Sequence, residues 1–229
     1  VIIMLNLIWY WIVSHLGTPI GQELPPVTNG YQFLMAVLTI GLVPAAIEEF
    51  LFRGLILRGY ERFGSTAAIV ITGILFGILH IQLMSIPSII LLGIVITYVV
   101  YRTNSIFAGV IYHFVHNTIS VFFIFMQNII LKFAGGLEAV PQQDLSAFPK
   151  EALTVAYTFW GIIGTCALAL FISCTVFFHR YTEGKSKLRP LNQEEMERPA
   201  WLGMVPVVVA IGLVICLVIY EVRYMMGII

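Results

Sequence analysis

Residues 31–57 read YQFLMAVLTIGLVPAAIEEFLFRGLIL, a run in which Glu48, Glu49 and Arg53 are the only charged side chains. An α-helix needs about 20 apolar residues to cross the hydrocarbon core of a bilayer, and this run is longer. Ionisable groups at membrane depth are costly and usually mark function. One stretch thus predicts both a membrane helix and a site inside it.

The rest of the chain agrees with the first prediction. Of its 229 residues, 59% are hydrophobic and 10% are charged, and the mean hydropathy is +0.95. Soluble domains are about 45–50% apolar and about 25% charged. Apolar segments fall at about 1–17, 31–57, 66–84, 87–101, 105–133, 151–179 and 201–220. No alternating barrel pattern accompanies them. The expectation is an all-α, polytopic helical transmembrane bundle of about seven spans, forming one membrane domain over 1–229. Its catalytic core is expected over about 31–130, with extra C-terminal segments at about 151–179 and 201–220. The formal net charge is zero, so the basic footprint of a nucleic-acid binder is missing. Cys166, Cys174 and Cys216 lie in apolar runs without paired spacing and read as apolar fillers. The first apolar run lacks a small-residue cleavage site followed by a soluble body, so a secretory signal peptide is not expected.

Turn residues punctuate the segments: Pro19, Pro25, Pro26, Asn29 and Gly30, then Gly64, then Ser85 and Pro87, with long polar loops at 134–150 and 180–200. If all seven segments cross, one face receives Arg58, Arg62, Arg102, Arg180, Lys185, Lys187, Arg189 and Arg198, and the other Lys132, Lys150 and Arg223. The positive-inside rule makes the first face cytoplasmic.

Nearly all other strongly polar groups at membrane depth are close in sequence: His80 in the third segment, and His113, His116 and Asn117 in the fifth. Glu48 precedes Gly64 by sixteen residues and His80 follows it by sixteen, which places both about 24 Å from the turn. Glu48 is ten residues from Arg58 and His113 eleven from Arg102, so both lie about 15–17 Å below the same face. Three segments thus bring Glu48, His80 and His113 to one depth. Glu49 and Arg53 are spaced i,i+4 and predict an ion pair, leaving Glu48 free to face the site. Phe76 shares a helical face with His80 and is expected to wall the pocket. Asn117 shares one with His113, and His116 points elsewhere.

Such a set suits hydrolysis. A carboxylate in a dehydrated site serves as general base on water, with an imidazole as partner. A His and an Asn on one face supply donors to an oxyanion. Neither a G-x-S-x-G motif nor a Cys near either histidine offers a nucleophile. A catalytic zinc held by Glu48, His80 and His113 is the alternative for activating the water. The zincin motif H-E-x-x-H is absent. No metal is assigned, and zinc is the one cofactor kept open.

At this point three motifs resemble those of the CAAX protease and bacteriocin-processing family of intramembrane endopeptidases. Glu48-Glu49-Phe50-Leu51-Phe52-Arg53 is similar to its E-E-x-x-x-R, Phe76-Gly77-Ile78-Leu79-His80 to its F-x-x-x-H, and His113-Phe114-Val115-His116-Asn117 to its H-x-x-x-N. The resemblance covers about 35–125. It implies peptide-bond hydrolysis, with Glu48 and His80 activating water, His113 and Asn117 forming the oxyanion hole, and Glu49 and Arg53 supporting. It also implies a membrane-proximal or lipidated peptide or protein substrate, among membrane lipids. Members named metalloproteases carry the zinc question over. The expected location is the plasma membrane, with the site open to the cytoplasm. Two other classes stand against this: a non-catalytic bacteriocin-immunity or binding scaffold with the same shell, and an ion-coupled transporter. The transporter lacks the internal repeat it commonly shows.

Overall fold

The computed structural model describes residues 1–15, 26–133, 150–184 and 200–226. Seven helices organise them: α1 Ile2–Ser14, α2 Gly30–Phe63, α3 Ser65–Leu79, α4 Ile86–Thr103, α5 Ile106–Phe133, α6 Lys150–Tyr181 and α7 Ala200–Met225. Among the described residues there is no strand. Loop positions 134–149 and 185–199, with Lys185, Lys187, Arg189 and Arg198, lie outside the described residues.

The all-α bundle expected from the apolar runs is present. Five stretches are long and apolar enough to cross a bilayer: Gly30–Phe63, Leu83–Thr103, Ile106–Ile130, Thr158–Tyr181 and Val207–Tyr224. Two of the seven expected spans are shorter. Helix α1 has 13 residues and α3 has 15, about 20 and 23 Å, against a core of about 30 Å. The apolar run at 66–84 does not continue as one helix. It stops at Leu79, with His80 as the capping residue and Ile81 turned to φ +50°. A short α3 is tolerated because protein, not lipid, surrounds it: eight of its residues are buried, Ala68, Ile69, Thr72, Gly73, Leu75, Phe76, Gly77 and Ile78. The demand for full length falls on helices that face hydrocarbon. Leu55, Phe107 and Ile111, each more than three-fifths exposed, show where the other helices meet it.

Glycines set how closely α3 and α4 approach. A β-carbon at Gly73 would stand 2.6 Å from the Ile94 nitrogen, and one at Gly77 would stand 2.7 Å from the Ile90 nitrogen. Gly93 answers from α4, where an added β-carbon would lie 2.8 Å from the Gly73 carbonyl oxygen. Small residues four apart let membrane helices pack backbone to backbone. Phe52, Leu57, Leu75, Phe76, Leu92, Ile96 and Val100 fill the core around this contact.

Helix α2 is irregular in a way its sequence explains. Two wide π-helical stretches, Val37–Leu42 and Phe50–Ile56, flank a regular turn at Val43–Glu49. Pro44 has no N–H to give to the carbonyls of the preceding turn, next to the first of these stretches. The chain reverses from α2 to α3 at Gly64, whose φ of +89° suits glycine.

The outer helices are tied on by polar contacts. Trp9 Nε1 donates to the Leu83 carbonyl at 2.7 Å, and Ser88 Oγ donates to Asn6 Oδ1, joining α1 to the α3–α4 connection and to α4. Arg102 Nε donates to Thr182 Oγ1 at 2.7 Å and Arg102 Nη2 to the His179 carbonyl, joining α4 to the end of α6. Cys166, Cys174 and Cys216 are free and exposed. They sit on the outer surface of α6 and α7 and do not fill packing gaps, which corrects the sequence reading. An apolar run cannot tell a lipid-facing position from a core one.

Candidate active site

Phe76 is the centre on which the polar side chains converge. It is fully buried near the end of α3. Its ring lies 4.6 Å from that of His80, 5.5 Å from that of His113 and 4.9 Å from that of Phe52. The Arg53 guanidinium stands 4.7 Å from the Phe76 centroid. One aromatic side chain therefore contacts groups from α2, α3 and α5. Its backbone acts as well: the Phe76 carbonyl accepts from His80 Nδ1 at 2.6 Å.

That contact defines the chemistry of His80. A carbonyl only accepts, so Nδ1 carries the hydrogen. In the neutral ring Nε2 is then a lone pair, and it faces Glu48 Oε2 at 3.6 Å. Glu48 Oε2 is buried and has no hydrogen-bond partner. An ionised Glu48 and a neutral His80 thus present two acceptors to each other, just beyond bonding reach. The group that satisfies both is one that donates two hydrogens, and water does so. The two side chains are 25% and 29% exposed, which leaves the pair reachable from outside the bundle.

A second, deeper set lies behind the first. Glu49 and Arg53 are both fully buried and joined at 2.7 Å, the i,i+4 pair expected from their spacing. Arg53 also donates Nε to Thr97 Oγ1 at 3.2 Å and Nη2 to the Gly93 carbonyl at 2.9 Å. Its fork therefore ties α2 to α4. Buried charges are tolerated when paired and hydrogen-bonded in this way. The Glu49 Oε1 that binds Arg53 also lies 3.0 Å from His113 Nδ1. An ionised, arginine-bound carboxylate only accepts, so His113 Nδ1 carries a hydrogen. His113 is buried, and Nε2 is the ring nitrogen left for other partners.

Asn117, one turn further along α5, donates Nδ2 to the Ile40 carbonyl at 3.1 Å. A primary amide has two N–H bonds, so one stays available. Among the described residues the ring contacts that join Phe76 to His80 and His113 do not include His116.

The structure therefore brings Glu48 to His80, and Glu49 to Arg53 and His113, with Phe76 touching most of them. Among the described residues no three His, Cys, Asp or Glu side chains converge as a metal's ligand set. The Nδ1 bonds of His80 to a carbonyl and of His113 to a carboxylate leave Nε2 of each ring open, an orientation that a zinc-bound histidine also has. Several contributors escaped the sequence reading. Thr97 and Gly93 hold Arg53 from α4, and the Gly73/Gly77 pair sets the α3–α4 spacing. The four-residue glycine spacing was the available signal for the pair; nothing local marks Thr97 or Ile40.

Comparison with known proteins agrees with the motifs. No match was found among curated proteins or among solved structures. Residues 30–119, which carry all three motifs, match the sequence model of the Rce1-like family, described as type II CAAX prenyl endopeptidase, Rce1-like.

Proposed function

We propose that this integral membrane protein is an intramembrane endopeptidase in which Glu48 and His80 activate the attacking water. The observation that carries the reading is the pair of facing acceptors, Glu48 Oε2 and His80 Nε2, 3.6 Å apart in a partly open site. Water held there donates one hydrogen to each. Glu48 takes a proton as the water oxygen bonds to the scissile carbonyl carbon. The carbonyl oxygen becomes an oxyanion, and Glu48 and His80 return the proton to the amine as the C–N bond breaks.

Oxyanion stabilisation falls to His113 and Asn117. Asn117 has one amide hydrogen uncommitted. For His113, Nδ1–H is used by Glu49, so donation from Nε2 requires the doubly protonated ring. Glu49 is the counter-charge beside it. Glu48 and Glu49 against Arg53 and a protonated His113 sum to zero, which suits a low-dielectric site. The substrate is a membrane-proximal or lipidated peptide, the class named for the family matched by residues 30–119. The site opens toward the cytoplasm, on the face bearing Arg58 and Arg102, in the plasma membrane.

The test is cleavage of quenched fluorescent peptides, among them a farnesylated CAAX peptide and a bacteriocin-leader peptide, by purified wild type and Glu48→Gln. The amide keeps the shape of the carboxylate and removes the base, so kcat should fall by about 10²–10⁴-fold with the protein still folded. Full cleavage by Glu48→Gln would show that this carboxylate is not the base.

A further inference from the structure

We propose that Gly109 is a positioning residue of this site: its missing side chain is the slot in which the Glu49 carboxylate sits to hold His113. The inference rests on the reading of His113 given above. Gly109 is one helical turn before His113 on α5 and is buried. A β-carbon there would stand 2.8 Å from Glu49 Oε2 and 2.5 Å from Val100 Cγ2. Both are closer than side-chain carbons come to other heavy atoms, so both neighbours have to move.

The direction of movement follows from what holds Glu49. Its Oε1 receives two donors, Arg53 Nη1 at 2.7 Å and His113 Nδ1 at 3.0 Å. Its Oε2 is buried with no hydrogen-bond partner, so only steric contact bounds it on the Gly109 side. Arg53 lies on α2 with Glu49 and can follow a displaced carboxylate. His113 lies on α5 with the added methyl and cannot. The His113 bond is therefore the one that breaks, and with it the hold on the orientation of the ring and its counter-charge. A small residue in a membrane helix usually serves close helix packing. Here half of what it accommodates is a carboxylate, and that makes the two roles separable.

Replacing Val100 by Ala removes the hydrocarbon half of the clash and leaves the carboxylate half. Val100→Ala, Gly109→Ala/Val100→Ala and Glu48→Gln are purified and compared for thermal unfolding, kcat and KM, and the ¹⁵N spectrum of labelled histidine, with His113 assigned by difference from His113→Gln. The double variant should still fold, unfolding about 3–12 °C below Val100→Ala, the cost of one buried hydrogen bond to a charged group. Its kcat should fall about 10- to 100-fold with KM within about twofold, since about 1 Å of misplacement can cost on the order of 10²-fold in rate. Its His113 Nδ1 signal should move away from that of Val100→Ala as the bond to Glu49 is lost. A double variant with the kcat and the His113 signal of Val100→Ala overturns the proposal. An active Glu48→Gln overturns the endopeptidase mechanism instead, and the His113 signal still decides whether Gly109 positions Glu49.

Discussion

Arg53→Ala tests how the two shells of the site are joined. The guanidinium is fully buried and makes three directed bonds, to Glu49, Thr97 and the Gly93 carbonyl. The Gly93 carbonyl keeps a second donor, Thr97 Oγ1 at 2.6 Å, so its loss is small. Glu49 keeps only His113. Glu49, buried and without its arginine, carries the dominant cost, and breaking a buried pair from one side costs about 3–5 kcal/mol. Loss of the cation from the Phe76 face works in the same direction. The folding equilibrium should therefore fall by about two to four orders of magnitude, measured by reversible denaturation in mixed micelles. Glu49→Ala/Arg53→Ala removes both charges and should be more stable than Arg53→Ala alone, a sign that distinguishes charge burial from lost packing. An Arg53→Ala protein within about 1 kcal/mol of wild type, or a double variant as unstable as the two single losses added, would refute the reasoning.

Three further outcomes are expected. Gly77→Ala should destabilise by at least about 1–3 kcal/mol, because the new methyl meets backbone, the Ile90 nitrogen at 2.7 Å and Cα at 2.9 Å, and backbone cannot rotate aside; the same denaturation assay reads it. Asn117→Ala should lower kcat by about 10²–10³-fold as an oxyanion donor is lost, and a peptide-cleavage assay with KM resolved separately checks it. Ile81→Gly should stabilise by about 1 kcal/mol, since Ile81 holds φ +50° at an exposed position where a β-branched residue is strained. Thermal unfolding gives the sign.

Much of this arrangement was legible from residue spacing alone. The i,i+4 interval predicted the Glu49–Arg53 pair, and equal counts on either side of Gly64 brought Glu48 to the level of His80. Both rest on helix geometry, which needs no tertiary information. The end of α3 was not legible. Ile81-Gln82-Leu83-Met84 is apolar enough to extend a helix, and the stop depends on a strained residue with no glycine or proline to announce it. The Glu49–His113 bond was also hidden. It joins residues 64 apart, and helical counting fixes depth but not the rotation of one helix against another. The bond from Asn117 to the Ile40 carbonyl joins α5 to the wide stretch of α2, a contact visible only after the helices are packed. Helix lengths were not legible either: the described part of α1 and the largely buried α3 are shorter than the other five helices, since apolar composition reports burial without telling lipid from protein.

The most direct test of the central claim is turnover of a farnesylated CAAX peptide by the purified protein and by Glu48→Gln, each with and without a strong zinc chelator. The account predicts cleavage by wild type that survives the chelator and disappears in Glu48→Gln. Cleavage that the chelator abolishes and zinc restores would contradict the metal-free role given to Glu48 and His80, and undiminished cleavage by Glu48→Gln would contradict the site itself.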